Sequence, residues 1–184
     1  MKNNKGYTLI ELITVIAIMV ILTGTVAIST QVIRGYYAKQ CAKNVEAQMN
    51  RVQILNMARK TTELEIGQGT DGGYYAQVTE NIGTPKERVE RKQIGRKSLT
   101  ITYSMDEKDN NVFELKNGLT SNPIKIQFSR STGELLLKDK SDNAIGCHRI
   151  WIRQNVGGKY YTVTVNALTG KIEVTADMVK YQGS

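Results

Sequence analysis

The sequence predicts an α+β fold: a long N-terminal helix, half transmembrane and half amphipathic, packed against a C-terminal antiparallel β-sheet or small β-sandwich head. Three observations predict it. From Tyr7 to Ile28 the only ionisable groups are Tyr7 and Glu11; from Arg34 to about Glu63 apolar residues recur at intervals of three and four; from Ser98 onward they alternate with polar ones.

The first run is of membrane length, since a helix rises about 1.5 Å per residue and the hydrocarbon layer is about 30 Å thick. Ahead of it, Met1-Lys2-Asn3-Asn4-Lys5-Gly6 is basic without acid, which places the N-terminus in the cytoplasm and the rest of the chain outside. Ala27, Ser29 and Thr30 only weakly imitate the cleavage site of an ordinary secretory signal. Glu11 is the anomaly. A carboxylate at the centre of such a span costs about 2.5–3.5 kcal/mol on insertion scales, and less near its end, so it implies a partner. The plain alternative is a single-pass anchor with an incidental acid near its cytoplasmic end. Gly24 weakens this half by about 1 kcal/mol relative to alanine and serves either loosening or close packing.

No proline interrupts the chain before Pro85, so the helix continues. Ala38, Cys41, Val45, Met49, Val52 and Leu55 form one stripe, with Lys39, Lys43, Glu46, Asn50 and Arg51 mainly elsewhere. The expected helix of about 55 residues is apolar all round in its first half and amphipathic in its second.

Residues 65–97 are rich in glycine and charge and read as a connecting loop. Gly67-Gln68-Gly69-Thr70-Asp71-Gly72 formally satisfies G-x-G-x-x-G. It follows a helix rather than a strand, which leaves a dinucleotide cradle unsupported. Between positions 86 and 97, Lys86, Arg88, Arg91, Lys92, Arg96 and Lys97 stand against Glu87 and Glu90. Such a run is ordinarily a solvated surface; its functional reading is a polyanion contact, weakening steeply with salt. The net charge of +8 agrees with attraction to cell-wall polymers, acidic lipids or DNA without choosing among them.

Period two follows at Leu99, Ile101, Tyr103 and Met105, at Ile124, Ile126 and Phe128, at Leu135 and Leu137, at Ile150 and Ile152, at Tyr161, Val163 and Val165, and at Ile172 and Val174. With Val112–Lys116 this makes about seven strands. The turn signals Asp109-Asn110-Asn111, Ser131-Thr132-Gly133, Gly157-Gly158 and Leu168-Thr169-Gly170 suggest consecutive antiparallel hairpins. Trp151 and Tyr160 point off the main stripe, toward an edge or a subunit contact.

Recognisable enzyme chemistry is missing. His148 stands beside Cys147, yet no spacing completes a metal site or a catalytic triad, and no cofactor or metal is implied. Asp106, Asp109 and Asn111 are turn formers without a calcium-loop pattern. Cys41 on the helix stripe and Cys147 at a strand start are placed either for a disulfide or as buried thiols.

Gly6-Tyr7-Thr8-Leu9-Ile10-Glu11-Leu12, followed by Val15, Ala17, Ile18 and Leu22, resembles the class III signal of type IV pilins and pseudopilins over about the first 30 residues. The resemblance implies a prepilin peptidase that cuts between Gly6 and Tyr7 and methylates the new N-terminus, with Tyr7 where the family usually has Phe. It implies further that Glu11 pairs with the Tyr7 amine of a neighbouring subunit. Its expected partners are that peptidase, other pilin or pseudopilin subunits, the inner or cytoplasmic membrane and a pilus assembly platform. Processing would remove Lys2 and Lys5, taking the side-chain charge from +8 to +6.

More weakly, Ile124–Gly133 and Val163–Val174 look like minor pseudopilins of the FimT and general-secretion H type. Some of those bind DNA through arginines near the last strand. Gly170-Lys171-Ile172-Glu173 here has an acid where positive charge would help, so DNA stands as an unsupported partner. The expected organisation is a leader (1–6), a transmembrane half-helix (7–28), an amphipathic half-helix (29–64), a loop (65–97) and a β head (98–184). A non-enzymatic subunit, minor by its head, of a pilus or pseudopilus for adhesion, motility, secretion or DNA uptake follows. The alternative is a monomeric membrane-anchored module that holds polyanions at the surface.

Overall fold

The computed structural model describes residues 8–105, 112–116, 119, 123–136, 147–154 and 160–177, apart from the side chains of 24–34 and 177. Among them are one helix, α1 (Leu9–Met57), and ten strands. The strands are β1 (Thr62–Gln68), β2 (Tyr74–Glu80), β3 (Arg88–Gly95), β4 (Leu99–Ser104), β5 (Val112–Glu114), β6 (Ile124–Phe128), β7 (Leu135–Leu136), β8 (Arg149–Gln154), β9 (Tyr160–Val165) and β10 (Ile172–Asp177). They form two antiparallel sheets, ordered β3-β2-β1-β6-β7 and β10-β9-β8-β4-β5. The α+β class and the long helix agree with the sequence reading, and α1 packs against strands of both sheets.

The amphipathic stripe explains that packing. Ala38, Cys41, Val45, Met49 and Val52 are buried with Leu64, Ile66, Ile101, Ile126, Phe128, Ile152 and Val163 in one core. Each large aliphatic side chain so buried contributes about 1.5–3 kcal/mol relative to exposure.

Two boundaries differ from expectation. The helix, expected to reach residue 64, ends at Met57, where Arg59 adopts φ 64° and the Lys60 N–H donates to the Leu55 carbonyl at 3.1 Å. Buried Asn56 then fixes the next strand. Its Oδ1 accepts from the Thr62 N–H (2.9 Å) and hydroxyl (2.6 Å), while its Nδ2 donates to the Thr62 carbonyl (3.2 Å).

The expected loop 65–97 is instead mostly sheet, and the head begins at Thr62 rather than at residue 98. Thr62, Leu64 and Ile66 point inward between outward Glu63 and Glu65, and Tyr74, Ala76 and Val78 repeat the alternation. The glycine cluster merely closes the β1–β2 connection, with the Gly69 N–H bonded to the Gly73 carbonyl at 2.7 Å and Gly72 at φ 79°. G-x-G-x-x-G thus lies between antiparallel strands. The charged run is largely an edge strand, a place where charge discourages pairing with foreign strands.

Further on, β4–β5, β6–β7, β8–β9 and β9–β10 pair as hairpins. The hairpin series is nonetheless broken: β6 crosses to pair with β1, setting Leu64 opposite Ile126 and Ile66 opposite Ile124. Trp151 does lie off the Ile150–Ile152 stripe but is 9% exposed on the central strand β8, between Thr102 and Thr162, so it covers no edge. Asp106, Asp109, Asn111, Leu137 and Gly157-Gly158 lie outside the described residues.

Candidate assembly site on the N-terminal helix

The start of α1 is built by residues that a helix terminus requires. Thr8 is the N-cap, in extended conformation, and its hydroxyl accepts from the Glu11 N–H at 3.4 Å. Glu11 reciprocates: its Oε2 accepts from both the Thr8 N–H and the Thr8 hydroxyl at 2.9 Å. This capping box satisfies two orphaned donors and sets a negative charge near the positive end of the helix dipole. The sequence reading assigned Glu11 a partner but missed its bond to Thr8, although the T-x-x-E spacing announces it. Among the described residues the carboxylate engages nothing further; Gly6 and Tyr7 lie outside them.

Beyond the cap the helix surface is apolar and uncovered. Every leucine, isoleucine, valine and methionine from Leu9 to Leu22 is more than half exposed, from 52% to 77%. The hydroxyls that interrupt this surface are turned onto the helix itself, Thr14 donating to the Ile10 carbonyl and Thr23 to that of Met19, each at 2.7 Å. Polar side chains that bond their own backbone need no water or partner, which suits an apolar environment.

The six basic residues expected to meet a polyanion do not form one patch. On β3, Arg91 faces outward with its guanidinium over the Tyr75 ring at 4.0 Å. Arg88 and Lys92 alternate onto the opposite side, flanking Glu90, which accepts from Arg51 of α1 at 2.8 Å. Arg96 leaves the strand to cover the Tyr37 ring at 4.1 Å. Lys97 follows beside Gly72, and Lys86 lies in the β2–β3 connection, its carbonyl accepting from Asn81. Alternation along β3 splits a contiguous charge run into different surfaces.

Cys41 and Cys147 are both free, buried thiols, so the structure does not form the disulfide. Burial pushes the Cys41 thiol up to about 12 and keeps it protonated. Cys147 Sγ donates to the carbonyls of Ser104 (3.4 Å) and Arg149 (3.3 Å). Among the described residues no three His, Cys, Asp or Glu side chains gather as metal ligands.

The decisive comparison falls on the same segment as the capped helix. Residues 1–27 match the family model of the prokaryotic N-terminal methylation motif. The N-terminus is of the prepilin type. This motif supports a type IV pilin-like protein that is processed as a prepilin. Pilin-type proteins carrying it are structural rather than enzymatic. No curated protein and no solved structure matches the chain. Among the described residues no helix is long and apolar enough to cross a membrane.

Proposed function

We propose that the chain is a minor pilin-like subunit. It is cut between Gly6 and Tyr7, methylated on Tyr7, held in the cytoplasmic membrane by residues 7–28 and then assembled through Leu9–Leu22. The head stays outside the cytoplasmic membrane and reaches the filament surface. The observation that carries this reading is the methylation motif joined to an uncovered apolar helix.

Glu11 has a defined task in that scheme. Its Oε2 is occupied by Thr8, and its other oxygen remains to accept the charged amine of Tyr7 from the next subunit. Such a charge-assisted bond offsets the desolvation of both groups when the helix enters the filament core. Methylation leaves the amine charged. The two-sheet head supports the weaker likeness to FimT and general-secretion H pseudopilins, and filaments for secretion, motility, adhesion or DNA uptake all fit. The run 86–97 is divided among several surfaces, with only Arg96 and Lys97 falling where α1 enters the head, so the run as a whole offers no single polyanion site and the motif favours the assembling subunit.

The test separates charge from cap. Glu11→Gln preserves a capping side chain and removes the charge; Glu11→Ala removes both. Both variants should be processed, reach the membrane and fail to enter filaments. Wild-type filament incorporation by Glu11→Gln would contradict the pairing.

A further inference from the structure

Cationic and aromatic side chains ring α1 where its apolar half enters the head. Ala38 is fully buried, and just before it Tyr36, 59% exposed, meets Tyr37 edge-on with ring centroids 5.8 Å apart. The Arg96 guanidinium covers Tyr37 at 4.1 Å. The turn carrying Arg96 and Lys97 is pressed onto the helix: a Cβ on Gly95 would lie 2.8 Å from Cys41 Sγ. That turn closes through the Leu99 N–H and the Arg96 carbonyl at 3.1 Å. Thr100 pairs with Arg153, which brings exposed Arg153 of the second sheet to the same end. Lys39 is exposed on the helix itself.

Among the described residues, the carboxylates near this end have partners of their own, Asp71 only neutral ones. Asp71 accepts from the Tyr75 hydroxyl at 2.6 Å and the Gly73 N–H at 3.1 Å; Glu46 is paired with Lys43 and Glu114 with Lys116, each at 2.7 Å. Lys39, Arg96, Lys97 and Arg153 have no carboxylate partner among the described residues. Among the described residues, these four cations thus outnumber the one nearby carboxylate, Asp71, that is bonded to neutral donors alone.

Length places the ring. At about 1.5 Å per residue, the rise from Leu9 to Tyr37 is about 42 Å, against about 40–45 Å for a bilayer with its headgroups. Tyrosines at that level combine an apolar ring with a wet hydroxyl, and lysine and arginine extend their charges toward phosphates. We propose that this collar, formed by Tyr36, Tyr37, Lys39, Arg96, Lys97 and Arg153, seats the base of the head on anionic phospholipid headgroups before assembly. The inference rests on the membrane-anchored reading above. Arg153 alternates with core residue Ile152 and so faces away from α1, on another side of the head from Arg96; a headgroup layer surrounding the emerging helix reaches charges on several sides, whereas a nucleic acid duplex beside an anchored helix meets one.

The test uses the full chain carrying Thr70→Cys, labelled with a fluorophore in the exposed loop beside Lys97; Cys41 and Cys147 are buried and escape labelling. The protein is reconstituted into vesicles of phosphatidylcholine alone, or with phosphatidylglycerol, that contain a headgroup quencher. Flotation after a carbonate wash reports anchoring separately. Quenching should be stronger with phosphatidylglycerol, and that excess should disappear in high salt and in Arg96→Gln/Lys97→Gln/Arg153→Gln, with flotation unchanged. Arg96→Lys, which keeps the charge, should retain it. Equal quenching in both lipids with intact flotation overturns the collar and leaves the anchor standing. Lost flotation removes the anchor and the collar with it. Loss of soluble duplex DNA binding by the triple variant, with headgroup quenching unaltered, would assign the surface to nucleic acid instead.

Discussion

Gly170 is the least replaceable described residue in the head. Its φ is 65°, and a Cβ there would lie 1.9 Å from the Gly133 carbonyl oxygen. Gln53 Nε2 donates to that same carbonyl at 2.8 Å and to that of Gly170 at 3.0 Å, tying a turn of each sheet to α1. Gly170→Ala should lose about 1–2 kcal/mol from the left-handed backbone alone, with the collision added, as read from thermal unfolding in detergent. Asn56→Ala should cost about 1–3 kcal/mol for each buried Thr62 backbone group left unpaired. Glu80 contributes differently. Burial raises its carboxyl, but bonds from Lys60 (3.2 Å) and Arg51 (3.0 Å) outweigh burial and hold it below the usual glutamate range. A carboxyl lowered in the folded state stabilises fully above its unfolded pKa, and that stability is lost as pH falls through the folded one. Glu80→Gln should therefore lower the melting temperature at neutral pH, and the gap from wild type should close in acid. A constant gap from neutral pH to pH below the glutamate range would contradict this linkage.

At the scale of elements, α1 and strands β4, β6, β8, β9 and β10 were legible because one packed face dictates each pattern. Ile124, Ile126 and Phe128, for instance, are buried beside exposed Lys125 and half-buried Gln127. The segment β1–β3 was not. Its glycines and charges imitate a loop, and its inward residues include Thr62 and Ala76, which carry little apolar signal. On the edge strand β3 only Ile94 and Gly95 are buried, too few for a periodic stripe. The crossing of β6 to β1 was also out of reach, because alternation sets which face a strand buries and not which neighbour it takes. Hydrogen exchange tests the correction directly. The amides of Tyr75–Thr79, on a strand paired on both sides, should exchange slowly; the rapid exchange of a solvated loop would contradict β2.

For the whole molecule, the N-terminal motif was legible because it constrains several neighbouring positions at once, while the roles of Gly6, Tyr7 and Glu11 within it are proposals. The arrangement around them was less legible. Neither the capping box of Thr8 and Glu11 nor the scattering of the basic run over several surfaces was foreseen, since both depend on where backbone groups and strand faces come to lie. The fold divides the helix: a stripe from Ala38 to Val52 holds the head, while Leu9–Leu22 stays uncovered, and the proposed assembly falls to that uncovered part. Ile13→Asp should consequently leave the melting of the head unchanged and abolish filament incorporation; a head that loses stability would contradict that separation. The most direct measurement of the central claim is the intact mass and N-terminal sequence of the chain after co-expression with a prepilin peptidase. The account predicts loss of Met1–Gly6 and a single methyl group on Tyr7, both absent when Gly6 is replaced by leucine. A chain that keeps Met1, or is cut near Ala27–Thr30, would contradict it.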